Sequence, residues 1–127
     1  GKGGIGKSTI SSNVSVALSE QGLRVLHVGC DPKRDSTVAL MGGVMIPTVV
    51  NRQLGQVVTP DEIVTTSERG IDCVEAGGPQ PGVGCAGRGI SLTLEIMERA
   101  AVLSSDRYDA VLFDLLGDVV CGGFAMP

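Results

Sequence analysis

The feature that most constrains the fold of this chain is the glycine-rich stretch at its start. Residues 1–9 read G-K-G-G-I-G-K-S-T and fit the pattern G-x-x-x-x-G-K-[ST] in full. Small residues at this spacing let backbone N–H groups point at phosphate oxygens, and the following helix adds its positive end. In this pattern Lys7 neutralises the β- and γ-phosphates and Ser8 places its hydroxyl on Mg²⁺. The stretch therefore predicts a phosphate-binding loop, with a glycine-rich turn and an exposed lysine as the structural alternative.

Strand-like and helix-like segments alternate along the rest of the chain. Hydrophobic periodicity predicts helices over residues 7–21, 61–66 and 91–103, and apolar runs predict strands over 24–29, 71–76 and 108–114. The first helix is expected to bury the face that contains Ile10, Val14, Ala17 and Leu18. The last helix is expected to bury the face that contains Leu94, Met97 and Ala101. This order predicts an α/β fold of the P-loop NTPase type, a doubly wound, mostly parallel sheet flanked by helices.

Composition limits the class of protein. The chain has 127 residues, 43% hydrophobic content and a net charge of −4, which is typical of one soluble globular domain and argues against a nucleic-acid or membrane-surface binder. No apolar run approaches the length of a membrane span, and we expect a cytoplasmic protein. Gly1 already lies inside a loop that normally follows a buried strand, and Pro127 closes a loop. We therefore expect residues 1–127 to be a single partial domain, a fragment that lacks the first strand and the C-terminal half.

Carboxylates follow two of the predicted strands at the points where ligands bind in such sheets. Asp114 ends the apolar run 110–113, which is the arrangement of a Walker B carboxylate near Mg²⁺, although a strand that ends in aspartate is also common without that role. Asp31 and Asp35 follow the strand at 24–29 in C-D-P-K-R-D, where their carboxylates could meet a metal-bound water. These three residues are the predicted metal-side carboxylates.

The four cysteines fall into two pairs. Cys30 and Cys73 lie in or beside apolar strands and are predicted to be small buried residues. Cys85 and Cys121 lie in glycine-rich stretches, where backbone N–H groups could hydrogen-bond to the sulfur of an iron–sulfur cluster. The spacing disfavours zinc, and a reducing compartment disfavours disulfides.

Two loop cysteines are too few for a four-iron cluster, which usually needs four thiolates. A two-fold dimer that contributes Cys85 and Cys121 from each subunit would supply four. One cluster per chain, held by all four cysteines, is the alternative and would require Cys30 and Cys73 to leave their strands. Because only six residues separate Asp114 from Cys121, a γ-phosphate could reorder the segment 114–121 and so act on a redox centre.

Four motifs together resemble the nitrogenase iron protein family, also called dinitrogenase reductases. They are G-K-G-G-I-G-K-S-T, G-C-D-P-K-R-D-S-T, C-V-E-A-G-G-P-Q-P-G-V-G-C-A-G-R-G and D-L-L-G-D-V-V-C-G-G-F-A-M-P. The resemblance spans the whole chain and is loose between residues 38 and 69. It implies a homodimer bridged by one [4Fe–4S] cluster, which passes single electrons to a catalytic nitrogenase component of the molybdenum–iron type or an analogue as MgATP is hydrolysed. Ferredoxin or flavodoxin is the implied electron source, with no nucleic acid or membrane as partner.

The resemblance also implies roles for individual residues. Lys2 marks the deviant phosphate-loop class, whose dimers reach across the interface to the partner's nucleotide. Asp118 is implied as a water-positioning base, and Arg88 matches an arginine that some family members have ADP-ribosylated as an off switch. With Asp118, Lys2 and Asp31 are implied as catalytic residues, and Asp31, Asp35 and Asp114 are implied to lie around the metal and the attacking water. Cluster ligation is implied for Cys85 and Cys121, and nucleotide or Mg²⁺ contacts for Gly1, Lys2, Gly3, Gly4, Ile5, Gly6, Lys7, Ser8, Thr9, Asp35 and Asp114.

Some positions depart from the family pattern. Arg34 replaces a usual alanine and Ala76 a usual serine, while residues 11–15 and 46–50 look more like the iron proteins of dark protochlorophyllide reductase and related tetrapyrrole reductases. Arg88 points back toward nitrogenase. Three hypotheses stay open at this stage: a nitrogenase reductase, the iron protein of a tetrapyrrole reductase, and a redox-inactive partitioning ATPase with the same loop and dimer.

Overall fold

The computed structural model describes residues 7–30, 36–49, 59–76, 86–103 and 106–114. These residues form three helices and four strands, and we number both in chain order. The helices are α1 (Lys7–Glu20), α2 (Pro60–Ile63) and α3 (Ala86–Arg99). The strands are β1 (Val25–Gly29), β2 (Thr65–Thr66), β3 (Asp72–Glu75) and β4 (Ala110–Asp114).

The four strands form one sheet in the order β2-β3-β1-β4. Strand β1 pairs in parallel with both β3 and β4, and only the short β2 runs antiparallel to its neighbour β3. The mostly parallel sheet predicted from the sequence is therefore confirmed. Gly29 is in register with Glu75 on one side and with Asp114 on the other. The last residues of three parallel strands thus form a row across the sheet, at the edge where such folds bind ligands.

Helices cover both faces of the sheet. On one face, Leu26, Val28 and Val74 pack in a buried cluster with Ile96 and Met97 of α3. On the other face, Val25, Ile71 and Cys73 form a second cluster, against which Val16 and Leu18 of α1 pack. Because side chains alternate along a strand, successive residues of β1 serve opposite layers. The chain therefore has the helix, sheet, helix layering of a doubly wound fold.

Helix α1 ends where predicted, and Leu18 packs against the core as predicted, but Ile10, Val14 and Ala17 were wrongly predicted to be buried. Gly22 follows the helix with a φ of +87°, which glycine adopts without steric cost. Ile10 and Val14 are 65% and 42% exposed, and Ala17 is exposed too. The sheet-facing side instead holds Ser12 and Ser15, both buried. The reason is that β1 presents a polar residue, His27, to this helix, and a hydroxyl matches it better than a methyl group.

The segment predicted as a helix over 61–66 is divided between two elements. The helix α2 stops at Ile63, and Val64 is already extended, with φ −101° and ψ 135°. Thr65 and Thr66 then pair with β3. Three β-branched residues in a row favour the extended backbone, and this preference outweighs the helical pattern.

Helix α3 begins five residues earlier than predicted and ends four residues earlier. Gly87 and Gly89 lower helix propensity, which is why the sequence pattern missed the first turn. Met97 is fully buried and Leu94 packs against the core, as predicted. Ala101, predicted on the same face, lies beyond the helix end with a φ of +58° and is exposed. Among the helices of the described residues, none combines the length and apolar character that a bilayer crossing needs.

At the amino ends of the parallel strands, Tyr108 links the start of β4 to the start of β3 by a hydrogen bond. Its hydroxyl donates to Asp72 Oδ2 at 2.6 Å, and the residue is 8% exposed. Burial, and then the hydrogen bond to Asp72, raise the pKa of Tyr108 to about 12. The neutral phenol is therefore the form that the fold favours.

We expect Tyr108→Phe to lower the free energy of unfolding by about 1 kcal/mol at pH 7, because a partly buried hydrogen bond to a carboxylate is lost. A folded pKa of about 12 against roughly 10 in the unfolded chain means that this contribution is complete below pH 10 and is lost as the pH rises toward 12. Urea unfolding at pH 7, 9 and 10.5 measures it in a full-length protein that contains this sequence. A difference between wild type and variant that grows above pH 10 would contradict the assignment.

Candidate functional site

Asp114 is the predicted metal-side carboxylate that the structure describes in full. It ends β4 and is 1% exposed. Its carbonyl oxygen accepts from the backbone N–H of Cys30 at 3.0 Å, which continues the pairing of β1 and β4 past the end of the strand. Its side-chain Oδ2 accepts from Ser36 Oγ at 2.5 Å. The carboxylate is therefore held in place at the carboxyl edge of the sheet.

Ser36 connects Asp114 to a buried histidine. Its Oγ lies 3.1 Å from His27 Nε2, and His27 Nδ1 lies 2.8 Å from Ser15 Oγ of α1. Both serines and the histidine are buried. Four polar side chains from helix α1, strand β1, the segment after it and strand β4 thus form one hydrogen-bonded chain, which we call the Ser15–Asp114 chain.

The direction of each hydrogen bond in this chain follows from its last member. The hydroxyl proton of Ser36 goes to Asp114, so Ser36 Oγ must accept from a proton on His27 Nε2. A neutral imidazole with its proton on Nε2 accepts at Nδ1, where Ser15 donates. Every donor in the Ser15–Asp114 chain therefore points toward the carboxylate of Asp114.

A second buried carboxylate holds the residue next to Ser36. Glu75 at the end of β3 is fully buried, and its Oε1 accepts from both the backbone N–H and the hydroxyl of Thr37, each at 2.9 Å. Gly29 makes room for it, because a Cβ there would lie 2.5 Å from Glu75 Oε1. Ser36 and Thr37 are thus held by carboxylates from the two strands that flank β1.

Ser36 and Thr37 directly follow the predicted metal-side residue Asp35 in sequence. Sequence reasoning did not identify Ser15, His27, Ser36, Thr37 or Glu75 as parts of this arrangement. The available signals were a histidine within an apolar strand and two hydroxyl residues directly after the C-D-P-K-R-D motif. Neither signal names a partner, because the contacts join residues up to 78 positions apart.

The described cysteines behave as the sequence predicted. Cys30 and Cys73 are both buried and free of disulfides. Burial raises the pKa of Cys73 to about 12, with smaller contributions from Asp72 and Glu75. Because the thiolate is the form that ligates iron, this environment opposes metal binding by Cys73.

The other predicted site residues lie outside the described residues, or have side chains that are not described. The first group comprises Gly1, Lys2, Gly3, Gly4, Ile5, Gly6, Asp31, Asp35, Cys85, Asp118 and Cys121. The second comprises Lys7, Ser8, Thr9 and Arg88, whose backbone is helical. The roles of these residues stay predictions.

The described residues fit a magnesium ion held mainly by other ligands. Within the described ranges, no three His, Cys, Asp or Glu side chains are close enough to share a metal ion. Mg²⁺ usually takes one or two carboxylates and completes its shell with water and substrate phosphates. A single oriented carboxylate at the end of β4, with hard oxygen donors, suits that mode of binding.

Solved structures with the same fold include nucleotide complexes. Cobyrinic acid a,c-diamide synthase from Mycobacterium smegmatis, with a bound ATP analogue and magnesium, superposes with a TM-score of 0.62 and 26% identity, covering 94% of this chain and 49% of that one. The tyrosine kinase domain of BceF superposes with a TM-score of 0.54 at 23% identity, which shows the fold alone. The P-loop NTPase fold predicted from the sequence is confirmed.

Curated relatives cover this chain from end to end. A nitrogenase iron protein from Methanospirillum hungatei is 58% identical, nitrogenase iron protein 1 from Methanothermobacter thermautotrophicus is 55% identical, and nitrogenase iron protein 2 from Paenibacillus durus is 53% identical. All of this chain is aligned in each case, and it spans 45%, 47% and 44% of those proteins. The family of 4Fe-4S iron–sulfur cluster-binding proteins of the NifH/frxC type matches residues 1–127, and the chain belongs to that family.

Proposed function

We propose that this chain is the nucleotide-binding part of the ATP-dependent electron donor of nitrogenase. The observation that carries the proposal is the match of all 127 residues to the cluster-binding family, with nitrogenase iron proteins at 53–58% identity. The chain spans less than half of those relatives, and the activity and partners are proposed for a protein that contains this chain. The buried, oriented Asp114 at the carboxyl edge of the sheet gives independent physical support.

The nucleotide site combines the glycine-rich loop with the metal-side carboxylates. The backbone N–H groups of residues 1–9 bind the phosphates of ATP, Lys7 neutralises their charge, and Ser8 and Asp114 lie on the magnesium side. The positive N-terminus of α1, which begins at Lys7, supports anion binding at this point. Lys2 would contact the nucleotide across a dimer interface, and Asp31 and Asp35 would serve the metal and the attacking water.

The redox site is a [4Fe–4S] cluster shared by two subunits. Cys85 and Cys121 from each subunit give four thiolates, the number that such a cluster needs. The buried and protonated state of Cys73 favours this arrangement over one that uses all four cysteines of one chain. Held by these cysteines, the cluster would supply one electron at a time. The proposed electron source is ferredoxin or flavodoxin, and the proposed acceptor is the catalytic nitrogenase component in the cytoplasm.

Hydrolysis and electron transfer are coupled through the segment that follows β4. Asp118 lies four residues beyond Asp114 and three before Cys121. Asp118 would orient the water that attacks the γ-phosphate. Loss of that phosphate would change the conformation of the segment 114–121 and with it the environment of the cluster ligand Cys121. ADP-ribosylation of Arg88, three residues after Cys85, would place a bulky charged group beside the cluster and block docking of the catalytic component.

We expect the full-length protein, reconstituted with iron and sulfide without oxygen, to be brown and to support MgATP-dependent acetylene reduction when mixed with a nitrogenase catalytic component. Iron content, ATP hydrolysis and ethylene formation measure the three parts of the proposal separately. A protein that carries its cluster and hydrolyses ATP but forms no ethylene would indicate the tetrapyrrole-reductase branch. A colourless, iron-free dimer that hydrolyses ATP would indicate a partitioning-type ATPase.

A further inference from the structure

We propose that Ser36 and His27 are positioning residues that set the orientation of the Asp114 carboxylate for the magnesium-bound nucleotide, with Ser15 as the anchor of the chain on helix α1. The inference rests on the proposed nucleotide site, because it assigns Asp114 to the magnesium side. It concerns residues to which the loop and cluster motifs give no role. The observation that carries it is the continuous hydrogen bonding of the Ser15–Asp114 chain, which ends on the carboxylate of Asp114.

Ser36 fixes the orientation of the Asp114 carboxylate. A buried carboxylate has several orientations about its last side-chain torsion, and only one presents a given oxygen to an ion at the edge of the sheet. The hydrogen bond from Ser36 Oγ, at 2.5 Å, holds Oδ2 and so fixes the direction of Oδ1. Hydrogen bonds to charged acceptors are stronger than those between neutral groups, so this bond can select one orientation.

His27 fixes the direction of the hydroxyl proton of Ser36. A serine donates one proton and can rotate it toward any nearby acceptor. His27 removes that freedom, because its Nε2–H occupies the acceptor side of Ser36 Oγ and leaves the hydroxyl proton directed to Asp114. In this tautomer Nδ1 is an acceptor, and Ser15 Oγ lies 2.8 Å from it. The buried contacts on both ring nitrogens hold the imidazole of His27 in place.

The Ser15–Asp114 chain connects helix α1 to strand β4. Helix α1 begins at Lys7 of the phosphate loop, and β4 ends at Asp114. The residues of the Ser15–Asp114 chain are buried, and polar groups in a buried environment interact more strongly than in water. The helix that follows the phosphate loop and the metal-side carboxylate are therefore joined by hydrogen bonds as well as by packing.

The test measures nucleotide affinity with and without magnesium, which does not depend on the cluster or on turnover. In a full-length protein that contains this sequence, titration calorimetry gives the dissociation constants of ADP in excess Mg²⁺ and in EDTA. We expect Ser36→Ala to weaken binding in Mg²⁺ about tenfold and to leave binding in EDTA within about twofold of wild type. His27→Leu, which removes both ring nitrogens at similar volume, is expected to act in the same direction.

Two further variants separate positioning from simple loss of stability. His27→Gln can restore an N–H donor toward Ser36 and is expected to recover part of the magnesium-dependent affinity. Ser67→Ala is the matched control, because Ser67 Oγ is also buried and hydrogen-bonded, to Ile71 N at 3.1 Å, but lies at the opposite edge of the sheet. It is expected to change thermal stability without changing the ratio of the two dissociation constants.

The outcomes distinguish this inference from the proposed function. If Mg²⁺ does not strengthen binding of ADP to the wild-type protein, the proposed nucleotide site is wrong. If it does, but Ser36→Ala and His27→Leu keep the wild-type ratio, the site stands and the positioning role is overturned. Equal losses in Mg²⁺ and in EDTA would also overturn it, because they indicate a general structural effect. Should His27→Leu fail to fold, Ser36→Ala and Ser15→Ala decide the question.

Discussion

Cys121→Ala is expected to abolish assembly of the iron–sulfur cluster, whereas Cys73→Ala is expected to leave it intact. In a cluster shared by two subunits, one substitution removes two of four ligands, one from each subunit. Cys73 is different, since it is fully buried and its pKa is raised to about 12. Its thiol contacts the carbonyl oxygen of Ile71 at 3.7 Å rather than facing solvent. Substitution of Cys73 therefore removes packing contacts but no cluster ligand.

The measurement is the iron content per dimer after anaerobic reconstitution of the full-length protein, together with its visible absorbance. The Cys73→Ala protein should keep the iron content and colour of wild type and lose about 1 kcal/mol of unfolding free energy from the small cavity. The Cys121→Ala protein should be colourless but still bind nucleotide. A Cys121→Ala protein with the iron content of wild type would refute the assignment of this ligand, and a colourless Cys73→Ala protein would favour one cluster per chain.

Gly29→Ala is expected to destabilise the fold by about 3 kcal/mol, a large effect for a single methyl group. The new Cβ would lie 2.5 Å from Glu75 Oε1 and 2.7 Å from its Oε2, so the carboxylate must move. Glu75 is fully buried, and moving it breaks two hydrogen bonds from Thr37. Overpacking and a disrupted buried carboxylate each cost on the order of 1–3 kcal/mol.

Urea unfolding of the full-length protein measures this effect, with Gly70→Ala as the control. Gly70 has a φ of +82° and open space around its Cα, so alanine there adds backbone strain of about 1 kcal/mol and no clash. A double-mutant cycle identifies the cause: in a Glu75→Ala background, Gly29→Ala should cost at least about 1 kcal/mol less than alone. Strictly additive effects would mean that Glu75 is not the group displaced.

Much of the fold could be predicted from the sequence because its signals are local. The apolar run of β4 and the stop at Gly22 depend on neighbours in the chain, and both are found where predicted. The errors arose where tertiary contacts override local pattern. Thr65 and Thr66 became a strand because β3 offered a partner, and Ile10 and Val14 are exposed because the sheet presents His27 to the other side of α1.

For the site, the sequence alone determined the candidate residues and the tertiary structure decided how the described ones are arranged. The glycine-rich loop, the carboxylate at the end of β4 and the loop cysteines stand out in the sequence because each lies in a distinctive local motif, and their roles in binding phosphate, magnesium and iron stay predictions. The groups that hold Asp114 and Glu75 were not readable, since Ser15, His27, Ser36 and Thr37 are ordinary polar residues. They acquire a role only when the parallel register places Glu75, Gly29 and Asp114 in one row and folding brings two hydroxyls over it. A hydrogen bond depends on distance and direction in space, and a sequence records neither of these for residues far apart in the chain.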